Sequence, residues 1–419
     1  MYLSVVWRPA ALAAALTLVA PVLAAEPLSL RDALQRAEAS HPDLQGFDAE
    51  RSGAAARRSL AERSPTPEIS VLLEDAFGSG ARSGLDSAQW TLSFSQALEL
   101  GDQRSSRLGA ADSRAVALTA DQEVRRRDAL AEVAQRFFEA AGDRERLRLA
   151  EEKVELARKS LAAADVRVSS ARAPVAERAR AQAALSQAIL EREHAEHEEM
   201  SARVALAVSM GSPEPDFGEL KAPLFDLPPL RPLPELRQRL KQSPSARARL
   251  AEAAALAAER RAALAAAGLR PTFTGGARRY EDGNDVAAVV GFSLPLFVGR
   301  RARDEAALIS ARQEQSQAES QAALLRAEEE LFERYQELGH ANEALRLLDT
   351  EVLPAHLEAL KQTQYAYDRG RYGYLELSLV LQELADARRA RLDTALRYHS
   401  LLAELERITG DRLIEGNIP

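Results

Sequence analysis

The sequence contains no cysteine. A disulfide, a thiol nucleophile, a thiolate-ligated metal and a thioether-linked lipid at a processed N-terminus are therefore all excluded. Aromatic residues make up only 5% of the 419 residues, and two are tryptophan, which leaves little with which to build a thick globular core. Alanine dominates the apolar fraction and 28% of residues are charged, a mixture suited to long helices packed through narrow contacts. The net charge of −8 argues against nucleic acid as the main partner. After the N-terminal segment, no stretch approaches the ~20 consecutive apolar residues that a membrane-crossing helix requires.

That N-terminal segment is the one sustained apolar run. Arg8 is the only charge before Ala10 to Ala20, and Val22-Leu23-Ala24 offers small residues at a cleavage position. Residues 1–24 are thus expected to be an export signal, with the mature chain starting near Ala25; an N-terminal anchor helix is the alternative.

The remainder states one pattern twice. Phe94-Ser95-Gln96-Ala97-Leu98-Glu99-Leu100-Gly101 returns as Phe292-Ser293-Leu294-Pro295-Leu296-Phe297-Val298-Gly299, a separation of 292 − 94 = 198. The helical stretches that follow end at Met210-Gly211 and Thr409-Gly410, separated by 410 − 211 = 199. A near-constant offset over this length marks one architectural unit used twice. The expected organisation is a first repeat over 25–211, a proline-rich connector over 212–234 running extended along the surface, a second repeat over 235–410 and a tail over 411–419.

Each repeat opens with a helix. Leu30, Ala33, Leu34 and Ala37 recur at helical spacing after Ser29 and stop at His41-Pro42, and Leu236 and Leu240 lead to Ser243-Pro244. A region of period two follows. Trp90, Leu92, Phe94 and Leu98 alternate with small or polar residues, as do Val286, Ala288, Val290, Phe292, Leu294 and Leu296. Each is preceded by a weaker strand, Ile69 to Phe77 and Thr272 to Tyr280, across turn-forming Gly/Ser or Asp/Gly/Asn segments. Two hairpins give four strands of a length that crosses a tilted bilayer, with Trp90, Leu92, Phe94, Val290, Phe292 and Leu294 as membrane-facing candidates. Four strands cannot close a membrane barrel, because open edges leave backbone groups unpaired in lipid. Membrane hairpins would require several chains to share one barrel; a small soluble sheet is the alternative.

The helical stretches carry a heptad pattern. Leu147, Val154, Leu161 and Val168 fall seven apart, as do Leu324, Leu331, Leu338, Leu345 and Val352, with alanine in alternate seam layers. From Gln103 to Ala171 a helix would run ~100 Å at 1.5 Å per residue. Each long helix reverses, at Ser169 to Pro174 and at Asp368 to Gly373, into a return helix, Val175 to Val208 and Tyr374 to Ile408.

With these parts in order, the chain resembles the TolC-type outer-membrane efflux factors over essentially its whole mature length. Glu68-Ile69-Ser70-Val71 through Glu74-Asp75, followed by Ser95-Gln96-Ala97-Leu98-Glu99-Leu100-Gly101, resembles the heavy-metal and cation branch. Two departures stand out: Ala97 where relatives often have proline, and Asp102-Gln103 where the metal branch tends to continue with Gly and Lys. The resemblance implies a mainly α fold with a small β part. In it a homotrimer shares a twelve-stranded β-barrel in outer-membrane lipid and continues into a periplasmic α-helical tunnel. It further implies a periplasmic adaptor and an inner-membrane pump of the resistance-nodulation-division type as partners, and passive conduction of heavy-metal cations as the function. Drug efflux and type I protein secretion are alternative settings; a stand-alone porin and a soluble periplasmic coiled-coil scaffold or adaptor are rivals of other classes.

Carried over by position, the resemblance places adaptor docking at Ala171, Arg172, Ala173 and Pro174, and at Gly370, Arg371, Tyr372 and Gly373. Glycines there would let a partner backbone approach, or would merely permit a tight turn. Asp368, Arg369, Arg371 and Glu376 would lie at the periplasmic entrance, where paired charges can hold a pore shut and select ions; solvated helix-end charges are the alternative. His194 and His197 share one helical face, but the surrounding Glu191 to Glu199 is almost wholly polar, so a metal site is not the expectation. Gly275-Gly276 and Gly78 to Gly84 lack the strand–loop–helix context of a phosphate loop. No nucleophile or paired-carboxylate constellation stands out, so neither an enzyme nor a bound cofactor is expected.

Overall fold

The structure is a computed structural model that describes residues 26–411 with the exception of Asn284. The expected export signal over 1–24, and all of the expected tail but Asp411, lie outside the described residues.

The first repeat begins with the short strand β1 (Leu28–Ser29) and helix α1 (Leu30–Ser40). The Ser29 side chain accepts from the Asp32 backbone N–H while the Asp32 carboxylate accepts from Ser29, so the first turn caps itself. A second helix, α2 (Phe47–Glu62), climbs to strands β2 (Glu68–Glu74) and β3 (Gln89–Ala97). Then come the 67-residue helix α3 (Gln103–Ser169) and its return, α4 (Val175–Ser209). The connector carries the short strand β4 (Leu220–Lys221). The second repeat runs α5 (Leu233–Leu240), α6 (Pro244–Ala265), β5 (Thr272–Tyr280), β6 (Val286–Ser293), α7 (Val298–Leu347), α8 (Leu353–Asp368) and α9 (Tyr374–Thr409).

Two helices were absent from the sequence expectation, α2 and its counterpart α6. Both are rich in alanine and arginine, and only Phe47 of α2 is fully buried, so neither shows a clear apolar stripe. The second long helix also departs from expectation. A π-helical turn over Leu348–Val352 separates α7 from α8 and ends two residues before Pro354, which has no N–H to continue the ladder.

The core sits where α1, the middle of α3, the end of α4, α5, the later part of α7 and α9 meet around Phe137, Leu206, Leu236, Leu338 and Leu401. The connector is part of this core, contrary to the expected surface path. β4 pairs in parallel with β1, Leu28 opposite Leu220, and Phe217 and Leu224 are buried. Apolar side chains between the prolines drive this inward course. Two polar groups of α9 fasten it: the Tyr398 hydroxyl donates to the Pro228 carbonyl at 2.6 Å, and His399 Nε2 lies 3.0 Å from the Leu224 carbonyl while its ring stacks on Phe138. Burial pulls the His399 pKa down and pushes the Tyr398 hydroxyl up to about 12.

Strands of the two repeats form a single antiparallel sheet, ordered β2-β3-β5-β6. The repeats meet at β3 and β5, where Phe94 lies opposite Gly275, and β2 and β6 form its edges. Leu294 is not in a strand, contrary to expectation: β6 ends at Ser293, paired with Thr272. The next position across would be Pro271, and Pro295 follows Leu294, so the ladder has lost the N–H groups on which it would continue.

Candidate functional site: a two-faced sheet and a helical tip

The sheet separates its side chains by chemistry. On one face stand Ile69 and Val71 of β2, Trp90, Leu92 and Phe94 of β3, Phe273 of β5, and Val290 and Phe292 of β6. All are exposed, Val290 to 88%, and no described element covers them. Aromatic rings pair across strands here, Phe273 and Phe292 with centroids 5.3 Å apart. The opposite face is polar and internally bonded. Ser70 and Ser93 share a 2.7 Å hydroxyl contact, and Ser95 and Thr274 one of 2.8 Å. Arg278 donates to Thr91 at 2.9 Å, Gln89 at 3.1 Å and Glu74 at 2.7 Å. An exposed apolar face backed by a bonded polar face describes a wall with hydrocarbon on one side and water on the other. Within the described residues, no helix is long and apolar enough to cross a membrane.

At the far end of α3 and α8 the two helical hairpins reverse by the same motif. Ala171 and Gly370 both take left-handed backbone, φ 56° and 73°. In the first tip, Arg172 N–H bonds the Arg167 carbonyl and Ala171 N–H the Val168 carbonyl; in the second, Arg371 N–H bonds Ala366 and Gly370 N–H bonds Tyr367. This is the Schellman arrangement, which asks for a positive φ at one residue. Gly370 meets that demand without strain, whereas Ala171 carries a Cβ there. Gly373 lies in ordinary extended backbone and precedes α9, whose first turn is capped by Glu376: the Gly373 N–H donates to its carboxylate at 3.0 Å.

One turn above the tips lies a buried polar junction. The Tyr367 hydroxyl donates to Glu177 Oε1 at 2.8 Å, and Arg167 Nε is 3.2 Å from the same oxygen. The Arg167 guanidinium also lies 4.3 Å from the Tyr367 ring centroid and donates to the Tyr367 carbonyl at 2.5 Å. Ala164, Ala181, Tyr374 and Leu377 enclose the group. Burial first, and then the bond to Glu177, raise the Tyr367 pKa well above the ordinary tyrosine value; burial and the Glu177 charge raise that of Tyr374. Arg167 and Glu177 belong to the first hairpin and Tyr367 to the second, so the junction ties the two together.

Comparison with known proteins connects this geometry to a family. The family model described as "Outer membrane efflux protein" matches residues 33–212, the first repeat. Over those residues the chain is similar to the outer membrane efflux proteins. The cobalt-zinc-cadmium resistance protein CzcC of Cupriavidus metallidurans is 28% identical over 392 residues, 92% of this chain and 89% of CzcC. Among solved structures, CusC superposes with a TM-score of 0.75 at 18% identity, covering 91% of this chain and 92% of its own. The MtrE outer membrane channel of Neisseria gonorrhoeae, in its open state, gives 0.73 at 20% identity, covering 93% and 90%. The fold of this chain is theirs.

The entrance candidates are engaged locally. Asp368 accepts from the Gln364 side chain at 2.8 Å, the Arg369 guanidinium lies over the Tyr365 ring at 3.9 Å, and Glu376 caps its own helix. Arg371, Arg172 and Tyr372 are exposed on the tips. His194 and His197 are exposed on α4; His194 Nε2 is 3.1 Å from Glu198, and no group of three metal-ligating side chains converges among the described residues. Above the tip, α3, α4 and α9 enclose a groove of about 510 Å³ lined by Lys153, Glu191, Glu198, Arg388 and Arg389. Sequence reasoning missed Arg167 and Tyr367. Glu177 was visible only through the repeat offset, which aligns it with Glu376 and gives no hint of a tyrosine partner.

Proposed function

We propose that this protein is the outer-membrane channel of a tripartite efflux system, a passive conduit from periplasm to exterior serving heavy-metal cations. The observation that carries the reading is the two-faced sheet with two open edges. In a membrane β2 and β6 must find partners, and pairing β6 of one chain with β2 of the next satisfies both. Three chains of four strands then make a twelve-stranded barrel, large enough to hold a water-filled lumen lined by the Ser70, Ser93, Ser95 and Thr274 hydroxyls. The helical hairpins, ~100 Å long, extend that lumen as a tunnel across the periplasm.

In this reading the residues at the tips, Ala171 to Pro174 and Gly370 to Gly373, and the groove above them receive a periplasmic adaptor. An inner-membrane pump supplies the energy. The Arg167–Glu177–Tyr367 junction holds the hairpins together in the resting state, and Asp368, Arg369 and Arg371 line the entrance. Cations are the cargo, supported by the relationship to a cobalt-zinc-cadmium resistance protein. Deleting the gene while its pump and adaptor remain should lower tolerance to cobalt, zinc or cadmium and leave drug tolerance unchanged. A loss confined to drugs would move the cargo to that class, and unchanged tolerance to both would overturn the efflux reading.

A further inference from the structure

The corner where β6 passes into α7 breaks several local rules at once. Phe297, immediately before α7, is 85% exposed and holds a left-handed backbone at φ 64°, a conformation costly for an aromatic residue. Leu296 beside it is 69% exposed. α7 receives no side-chain cap and has no acidic residue in its first turn. Instead Arg300, Arg301 and Arg303 follow, all exposed, at the helix end where the macrodipole disfavours cations. Ala306 and Ile309 pack against Leu256 and Ala263 of α6, and Ala302 on the same face is buried, so helical geometry turns Arg300 to the opposite side and Arg301 and Arg303 to the flanks. Among the described residues none of the three arginines forms an ion pair.

The first repeat supplies an internal control. At its corresponding corner the positive φ falls on Gly101, and the arginines are neutralised: Arg104 pairs with Glu62 at 3.6 Å, and Arg107 pairs with Glu99. The second corner thus departs from its own repeat by adding an aromatic, straining it outward and leaving the cations free. Such local inconsistencies gather where a surface has a task.

We propose that Leu296, Phe297, Arg300, Arg301 and Arg303 form a membrane-anchoring corner, seated in the periplasm-facing leaflet and binding anionic phospholipid headgroups. Position and residue order both point to lipid as the occupant. The corner continues the exposed apolar belt directly, five positions beyond Phe292, at the end of the barrel wall nearest the helices. Its order, aromatic and leucine first and arginines next, matches the descent from acyl chain to phosphate at a membrane interface. The anchoring is distinct from conduction and holds the channel at a set depth.

The test uses the full chain in lipid nanodiscs with Trp7 and Trp90 replaced by Phe and with Phe297→Trp introduced as the reporter. A companion chain retaining only Trp90 serves as the insertion control. Bromine-labelled phospholipids should quench the reporter at position 297 most strongly when the bromines lie near the carbonyl end of the acyl chain. Quenching by aqueous iodide alone would overturn the proposal, as would shielding from both quenchers, which would mean that another protein surface covers the corner. The charge is tested by titrating phosphatidylglycerol into phosphatidylcholine nanodiscs and reading bound lipid by native mass spectrometry. Arg300→Gln should weaken phosphatidylglycerol binding about fivefold, and replacing all three arginines should abolish the preference over phosphatidylcholine. An unchanged preference in the triple variant would overturn the headgroup assignment.

Discussion

The Tyr367 hydroxyl and the Glu177 carboxylate, 190 residues apart in sequence, meet at 2.8 Å and join the two helical hairpins one turn above their tips. A hydrogen bond to a charged acceptor contributes ~1.5–3 kcal/mol. Tyr367→Phe removes it while leaving the Arg167–Glu177 pair and the ring packing in place. We expect the variant to open more often, with higher resting conductance in planar bilayers and unchanged protein levels in the membrane. Glu177→Leu, which strands the buried Arg167 charge, should act more strongly and also lower stability. Conductance traces identical to those of the parent would remove the junction from the gate.

The same contact predicts a response to alkali. The folded-state pKa of Tyr367 lies above the unfolded value of about 10, because burial and the bond to Glu177 favour the protonated form. Its stabilisation is therefore fully present below pH ~10 and is lost as pH rises through the folded value. Resting conductance should climb on the alkaline side of pH ~10 in the parent channel. In Tyr367→Phe that limb should be flat; an equal climb in both would assign it to other groups.

The two tips adopt one motif with different residues, and this makes a matched pair of substitutions. Ala171→Gly relieves a left-handed alanine and should leave stability unchanged or raised by about 1 kcal/mol. Gly370→Val does the reverse, placing a β-branched residue at φ 73°, although space around the Cβ is open. Thermal denaturation of the purified protein should separate them in sign. Metal tolerance should survive the first and be lost in the second; full tolerance with Gly370→Val would remove the second tip from adaptor docking.

The sheet makes a sharper distinction between neighbouring positions. Val290→Arg places a charge on the lipid face and should cost ~2–4 kcal/mol if the site lies near the bilayer midplane. Ser93→Arg lies on the polar face and should be tolerated, altering ion preference instead. Quantifying both variants in isolated outer membranes would decide; equal recovery would contradict the assignment of faces.

Much of this architecture was legible because it rests on periodicity. The alternation around Trp90 to Phe94 and Val286 to Phe292, the heptads through Leu147 and Leu338, and the repeat offset each leave a regular trace in sequence. α2 and α6 left none, since alanine on several faces packs closely without marking a stripe. The buried course of Phe217 and Leu224 was hidden by the prolines around them. The junction was illegible for another reason. The repeat aligns Tyr367 with Val168 and Glu177 with Glu376, so comparing the halves points away from a pair that exists only because the halves differ. Long-range contacts between unlike positions have no local signature.

Four strands per chain complete a closed barrel only together with those of other chains. Native mass spectrometry of the protein extracted in detergent from isolated outer membranes measures that copy number directly. Three chains per complex is the predicted result, giving twelve strands and no open edge. A monomer recovered from the membrane, or protein found solely in the soluble periplasm, would contradict it.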